Sequence, residues 1–496
     1  MMTPKDRNMV EKNSDVETNN NEVVFISTPA IGMLTPTVEF ARRLVDHHPS
    51  RLSATILLIP VPQWPTINAY TQSLLSNSSS SSSPNLRFFL LPTMDPPSPN
   101  HFHSYVAHIS SLIENYKLNV KNAISSLRLS QPFNSNQQRR IIGLVVDMFC
   151  TPMIDVAVEL GIPSYLFFAS PASFLSFMLE VPILDSQLNS ESLTEFRVPG
   201  FANPVPRSIL PTTVLKRGDG YAWYIYHGQR YTQTKGIIVN TFTELETFVL
   251  DSLSERNVPK VYSIGPIIDY NGPEQWHPDK AQQKNVMKWL DDKPVSSVVF
   301  LCFGSMGSLN GPQVREIAIG LERIGCRFLW SLRKAPNAKL GLPNEYVNFD
   351  DVLPSGFLDR TVGLGKVCGW VPQVTILGHP AIGGFVSHCG WNSILESLWH
   401  GVPIATWPVY AEQQMNAFEM VKELGLAIDI RLDYREGSDL VMAEEVQRAI
   451  ERLMASDCEV RERVKCMKQK CRMALFENGS SYKSLGVLVE KLISNY

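Results

Sequence analysis

The chain contains no G-x-G-x-x-G, no G-x-x-x-x-G-K-[ST], no H-E-x-x-H and no G-x-S-x-G. A dinucleotide-dependent dehydrogenase, a P-loop nucleotidase and a serine hydrolase of the nucleophile-elbow type therefore lose their main sequence support. It also lacks a D-x-D pair that could hand two carboxylates to a metal-bound diphosphate, which favours a mechanism without metal. The eight cysteines, from Cys150 to Cys471, form no C-x-x-C pair and no zinc-like spacing, so they are expected to be reduced thiols. No run approaches the ~18 apolar residues of a membrane span. The first 22 residues, MMTPKDRNMVEKNSDVETNNNE, lack the apolar stretch of a secretory signal. With 45 Lys+Arg against 48 Asp+Glu the net charge is −3, leaving no global field for nucleic acid or anionic membrane. A cytoplasmic chain that holds any bound anion by local means is expected.

What is present is an alternation. At 496 residues, 44% of them hydrophobic, the chain exceeds the usual ~150-residue domain severalfold, and two domains are expected. Short runs rich in Val, Ile and Phe at 23–27, 54–59, 87–91, 141–146, 164–168 and 236–239 alternate with helical patterns. A second series follows at 298–303, 327–332, 366–371, 384–387 and 403–406. Continuous apolar strands between helices predict α/β layering with parallel sheets. Residues 263–283, with three prolines, two glycines and no period, are expected to be a linker. The expected division is a disordered 1–22, an N-terminal domain over 23–262, the linker 263–283, a C-terminal domain over 284–475, and a helix within 476–496 packing back on the first domain. The serine tract at 76–84 reads as a surface loop. The proline- and histidine-bearing stretch 92–108 follows a strand end, where open α/β sheets place ligand loops.

Residues 370–413 read WVPQVTILGHPAIGGFVSHCGWNSILESLWHGVPIATWPVYAEQ. The expected order is strand at 384–387, tight turn at His388-Cys389-Gly390, and helix from Trp391. Such a junction aims unpaired N–H groups and the positive end of a helix dipole at one point, which suits a phosphate. The segment has no Lys or Arg, so a diphosphate here would rely on main-chain N–H groups with His388, Asn392 and Ser393. Ser393-x-x-Glu396 also reads as a capping box, which needs no ligand.

This segment closely resembles the signature box of the plant UDP-dependent glycosyltransferases that modify small secondary metabolites. The opening strand and loop, Val146-Asp147 and residues 300–305 occur in the expected order before it. The resemblance implies two facing Rossmann-like domains of the GT-B type, the nucleotide sugar held by the C-terminal one and the acceptor by the N-terminal one. Carried over residue by residue, it implies that Trp370 stacks on uracil, with Val371 beside it, and that Gln373 and Glu396 contact the ribose. Ser305, His388, Asn392 and Ser393 are implied as the diphosphate cradle, and Trp391, Glu412 and Gln413 as the sugar-facing set. Gln413 implies glucose as the donor sugar. The implied activity is inverting transfer from UDP-glucose, a substrate rather than a cofactor, to a small apolar metabolite.

One position departs from the pattern. The loop 29–34 reads PAIGML, so Met33 stands where the family carries the histidine that deprotonates the acceptor. A thioether accepts no proton at neutral pH. Asp147 matches the aspartate that orients the histidine, and equally fits a carboxylate capping a strand end. Ala169 stands where a sugar-facing hydroxyl residue is often found. Three outcomes are therefore expected: ordinary transfer to a phenol, alcohol or carboxylic acid with a substitute base, transfer restricted to acidic acceptors, or a weakly active or noncatalytic binder of UDP-sugar or metabolite that modulates a partner.

Overall fold

The computed structural model describes residues 21–77, 85–129, 140–190, 192–270, 279–336, 341–435, 437 and 440–494. Residues 1–20 of the segment expected to be disordered and most of the serine tract lie outside those residues, whereas Asn21 and Glu22, expected to be disordered, open the first strand.

The first half is built on β1 (Asn21–Ile26), β2 (Ser53–Leu58), β3 (Leu86–Leu90), β4 (Arg140–Asp147) and β5 (Ser164–Phe168). A two-stranded antiparallel pair, β6 (Glu195–Phe196) and β7 (Val205–Pro206), precedes β8 (Ile237–Val239) and β9 (Val261–Ser263). Apart from β6 and β7 these strands form one parallel sheet in the order β3-β2-β1-β4-β5-β8-β9. The second half contributes β10 (Val298–Cys302), β11 (Arg327–Ser331), β12 (Gly365–Cys368), β13 (Ile382–Ser387), β14 (Ile404–Thr406) and β15 (Ala427–Asp429). Their sheet is also parallel, in the order β12-β11-β10-β13-β14-β15. Two α/β domains with parallel sheets are the architecture expected from the alternation.

The apolar runs are continuous because each strand feeds two cores. In β1, Val24 and Ile26 join one apolar cluster while Val23 and Phe25 join the cluster on the other face. In β10, Val298 and Phe300 are separated from Val299 and Leu301 in the same way. Period-2 side chains with both faces covered must be apolar at every position.

Helix Ser480–Ser494 lies on the first sheet, where Leu485, Leu488, Val489 and Leu492 enter the cluster containing Phe25 and Tyr165. Gly143 of β4 makes that approach possible, since a Cβ there would stand 3.2 Å from Leu492. The stretch expected as a linker is shorter than its composition suggests. Its first residue belongs to β9, and helix Lys280–Asp291 starts inside it, capped by Asp279, which accepts a 2.9 Å hydrogen bond from the Gln282 N–H.

Open parallel sheets bind ligands beyond the carboxyl ends of their strands, where the strand order reverses. The reversal falls between β1 and β4 in the first sheet and between β10 and β13 in the second.

Candidate active site

Both reversal points carry residues singled out in the sequence, and they meet. Beyond β13, Ser387 leads into His388, a left-handed Cys389 (φ 63°) and Gly390, which caps helix Trp391–His400 through no side-chain bond. The strained Cys389 is held from both sides, its N–H donating to Ser387 Oγ at 3.1 Å and its carbonyl accepting from Asn416 Nδ2 at 2.9 Å. The N–H groups of the first turn, Trp391, Asn392 and Ser393, have no partner within the helix and converge at its positive end. Ser393 thus lies inside the helix and not at its cap, so the capping-box reading of Ser393 and Glu396 does not hold.

Beyond the neighbouring β10, Gly304 adopts φ 78° and Ser305 follows it. Gly304 and Gly390 flank the His388 ring so closely that a Cβ at either would come 2.5 Å from Nε2. Burial pushes the His388 imidazole down to about 4, against opposition from the Cys302 backbone, so the ring is neutral at ordinary pH. Its Nδ1 is buried and unpartnered. A cradle of N–H groups and a neutral imidazole is what remains when a phosphate site has no Lys or Arg. Gly304→Ala should therefore push His388 aside and strain the backbone by about 1–3 kcal/mol. Calorimetry should show UDP affinity reduced about 5- to 150-fold; an unchanged affinity would remove Gly304 and His388 from the site.

Trp370 lies beyond β12 and is partly exposed. Its backbone is gripped from outside the expected segment: Gln282 Nε2 donates to the Trp370 carbonyl at 2.8 Å, Gln282 Oε1 accepts from the Gly369 N–H at 3.2 Å, and Glu345 accepts from the Trp370 N–H at 3.3 Å. Val371 is buried in the core beneath. Gln373 Nε2 donates to Ser393 Oγ and to Glu396 Oε2, each at 2.7 Å, which joins three of the expected residues in one network. Burial, with a smaller push from Asp269, raises the Glu396 carboxyl to about 7, and the Gln373 hydrogen bond opposes the shift.

The sugar-facing expectations divide. The Trp391 indole is buried, and its Nε1–H donates at 2.6 Å to the Asn240 carbonyl of the other domain. The ring therefore clamps the domains together, and the main-chain N–H of Trp391, at the start of the helix, is the group left to face a ligand. Gln413 is buried, with Oε1 accepting from the Val409 and Tyr410 N–H groups at 2.9 and 3.0 Å and its side chain also hydrogen-bonded to that of Tyr410. Glu412 accepts from Ser170 Oγ at 3.0 Å across the domain boundary; burial raises its carboxyl above the usual range. Ala169 is buried, and the hydroxyl at this strand end is supplied by Ser170.

At the other reversal point, Met33 is the third residue of helix Ile31–His47 and is half-buried against the apolar clusters on both sides of the first sheet. The preceding Gly32 carbonyl accepts from Asn392 Nδ2 at 3.0 Å. Met33 therefore stands in the cleft beside the first turn of the donor-side helix. Asp147 is 2% exposed and fully engaged. Oδ1 accepts from Thr28 Oγ1 at 2.9 Å and from the Phe149 and Cys150 N–H groups at 2.9 and 3.0 Å; Oδ2 accepts from Ser27 Oγ at 3.0 Å and from the Thr28 N–H. These bonds tie the β1 loop to the end of β4, the capping role that the sequence left open beside the catalytic one. Gln282, Glu345, Gly304, Asn240 and Ser170 were not singled out in the sequence; each acts across a distance in the chain that no local pattern records.

A model of the family described as "UDP-glucoronosyl and UDP-glucosyl transferase" matches residues 229–458. The chain is 54% identical over 474 residues to UDP-glycosyltransferase 43 of Pueraria montana var. lobata, covering 95% of this chain and 99% of that protein. It is 49% identical over 481 residues to UDP-glycosyltransferase 71K1 of Malus domestica, covering 95% and 98%. Its structure is similar to that of Medicago truncatula UGT71G1 complexed with UDP-glucose, with a TM-score of 0.85, 41% identity and coverage of 95% of this chain and 98% of that one. A transferase from Siraitia grosvenorii in complex with UDP gives 0.81 and 43%, covering 95% and 100%. The chain belongs to the plant UDP-dependent glycosyltransferases, enzymes of the GT-B fold that take a UDP-sugar as donor.

Proposed function

We propose that this enzyme moves glucose from UDP-glucose to an acidic oxygen, a carboxylate or an acidic phenol, on a small apolar metabolite, with inversion to a β-glucoside. The observation that supports it best is the Asn392–Gly32 hydrogen bond, which ties the donor-side helix to the residue preceding position 33, where the side chain is a thioether. In this reading Trp370 carries the uracil, Gln373 and Glu396 the ribose, and Ser305, His388 and the 391–393 N–H groups the diphosphate. Glu412 and Gln413 hold the glucose. The acceptor oxygen attacks the anomeric carbon, the bond to the diphosphate breaks, and UDP leaves with the electron pair.

An acceptor that arrives ionised has already lost its proton to solvent and asks nothing of position 33. Orientation of donor and acceptor can supply ~7–11 kcal/mol of barrier reduction, more than the ~3–5 kcal/mol of a general base. The test is incubation of the purified protein with UDP-glucose and a panel of acids, phenols and alcohols, read by mass spectrometry. Glucosides of the acids and acidic phenols should dominate. UDP-glucose binding with no product from any acceptor would establish the noncatalytic alternative.

Two further parts of the reading have separate support. Among the described residues there is no group of three His, Cys, Asp or Glu placed to hold a metal ion; with no D-x-D in the chain, EDTA should leave the rate unchanged. Activity lost to EDTA and restored by Mg²⁺ or Mn²⁺ would contradict this. Cytoplasmic location is supported by the eight cysteines, all free and five of them buried. Among the described residues no helix is long and apolar enough to cross a membrane.

A further inference from the structure

One continuous segment of the second domain, from Glu412 to Glu423, makes a series of polar contacts to the first. It comprises helix Gln413–Phe418 and a π-helical turn, Glu419–Glu423. Such a turn widens the helix and re-aims its side chains. Met415 and Phe418 enter the apolar cluster of the first domain, and the Phe418 ring lies 6.3 Å from that of Phe201. Three carboxyls accompany them. Glu412 meets Ser170, Glu419 Oε2 accepts from Ser173 Oγ at 2.7 Å, and Glu423 accepts from the Ala202 and Asn203 N–H groups at 2.8 and 3.1 Å.

Glu419 also meets a fourth carboxyl. Glu246 of the first domain lies beside it, since Ser173 bridges the two, donating its N–H to Glu246 Oε1 and its Oγ–H to Glu419 Oε2; both residues are 2% exposed. Glu246 accepts the Ala172 N–H on Oε2 at 3.0 Å and the Ser173 N–H on Oε1 at 2.8 Å, at the start of helix Ala172–Leu188. Two buried carboxylates in contact cannot both be ionised, so the pair shares one proton. Donors on both oxygens at a helix N-terminus make Glu246 the anion. Glu419, with one oxygen occupied by Ser173, therefore holds the proton and donates it to Glu246.

We propose that Glu419 and Glu246 form a one-proton latch between the domains that positions the Glu412–Gln413 loop, closed while Glu419 is protonated and released when it ionises. This goes beyond the assignment of donor and acceptor contacts and uses that assignment only in choosing the probe. The groups that face the pair are Ser173 and the 172–173 N–H groups from one helix, Thr241 from the loop before Glu246, and Glu423 from the π-turn. None of them is cationic. Burial first, then the charge of Glu246, holds Glu419 well above the usual carboxylate range, and Glu423 adds to the shift. A raised carboxyl stabilises the closed form fully at low pH and loses that contribution as pH rises through its folded-state value, so the latch weakens on the alkaline side.

Glu419→Gln provides the test, because an amide supplies the same acceptor to Ser173 and the same donor to Glu246 without a titrating proton. Calorimetric titration with UDP-glucose between about pH 6.5 and about pH 9.5 should show wild type weakening at least about fivefold more than E419Q. Comparing the two proteins at each pH cancels the titration of the nucleotide itself. E419A should bind weakly throughout, and E246Q should resemble it, because its amide NH2, a donor, would face one of the two N–H groups that Glu246 now accepts on separate oxygens. Parallel pH profiles for wild type and E419Q would overturn the latch. So would an E419Q protein that binds as poorly as E419A or fails to fold. Loss of UDP-glucose binding by wild type at every pH would instead count against the donor site.

Discussion

Met33→His should raise the rate toward weakly acidic hydroxyl acceptors by about 10²-fold and leave carboxylic acids within about twofold, because general-base assistance is worth ~10²–10⁴ only where a proton must be removed. Position 33 is at the mouth of the cleft, one residue after the carbonyl that Asn392 grips. The new imidazole would lie in the first turn of the helix that follows the loop Asp147 braces. Asp147 already accepts from Ser27, Thr28, Phe149 and Cys150, so it can orient an imidazole only by giving up a donor. Ser27 is the one that can be spared, since its hydroxyl has the Thr28 carbonyl as an alternative acceptor at 3.4 Å. That exchange keeps the expected gain at the lower end of the general-base range. Steady-state kinetics on a matched alcohol, phenol and acid checks it; equal gains on all three, or no gain on the alcohol, would show that proton removal at this position is not what the wild type lacks.

Glu396→Ala should weaken UDP binding by about 1.5–3 kcal/mol, or ~10- to 150-fold, the range for hydrogen bonds to a charged group. The carboxylate is an acceptor-only group that suits two ribose hydroxyls, and Gln373 already fixes one of its oxygens. Its pH dependence has a definite sign. With the free-enzyme carboxyl at about 7, ribose hydroxyls that favour the anion make binding tighten as pH rises through that value, with release of a proton. Glu396→Gln should abolish this acid limb and leave the alkaline weakening due to Glu419 in place. Calorimetry in two buffers of different ionisation enthalpy reads the proton release; an affinity indifferent to Glu396→Ala would remove this residue from the donor site.

The strands of both sheets were legible wherever a run was long enough to be covered on two faces. The three-residue edge strands β9 and β15 were not, because an edge segment that short carries no period. Residues 384–400 were legible as strand, turn and helix because the chemistry and the local backbone geometry coincide there. Four things were hidden, and each depends on chain segments far apart meeting in space. Trp391 reaches Asn240, Gln282 reaches Gly369, Asp147 reaches Thr28, and Glu419 reaches Glu246. Residue identity announced a tryptophan in the signature box and an aspartate at the end of β4, and only the packing showed the indole N–H and the carboxylate already occupied. Gly304 carries no message in the sequence either; its need for φ 78° and for space against His388 is a property of two neighbouring strand ends.

The central claim, that this transferase relies on positioning and on acceptors that supply their own ionisation, is tested most directly by the wild-type rate against acceptor acidity. A series of substituted phenols of similar size, saturated with UDP-glucose at fixed pH, would give kcat/KM as a function of acceptor pKa. With no base beside the acceptor, kcat/KM should fall steeply once the acceptor pKa exceeds the assay pH, approaching about tenfold per unit as the ionised fraction shrinks. A rate independent of acceptor pKa would contradict the claim and require a proton acceptor elsewhere in the cleft.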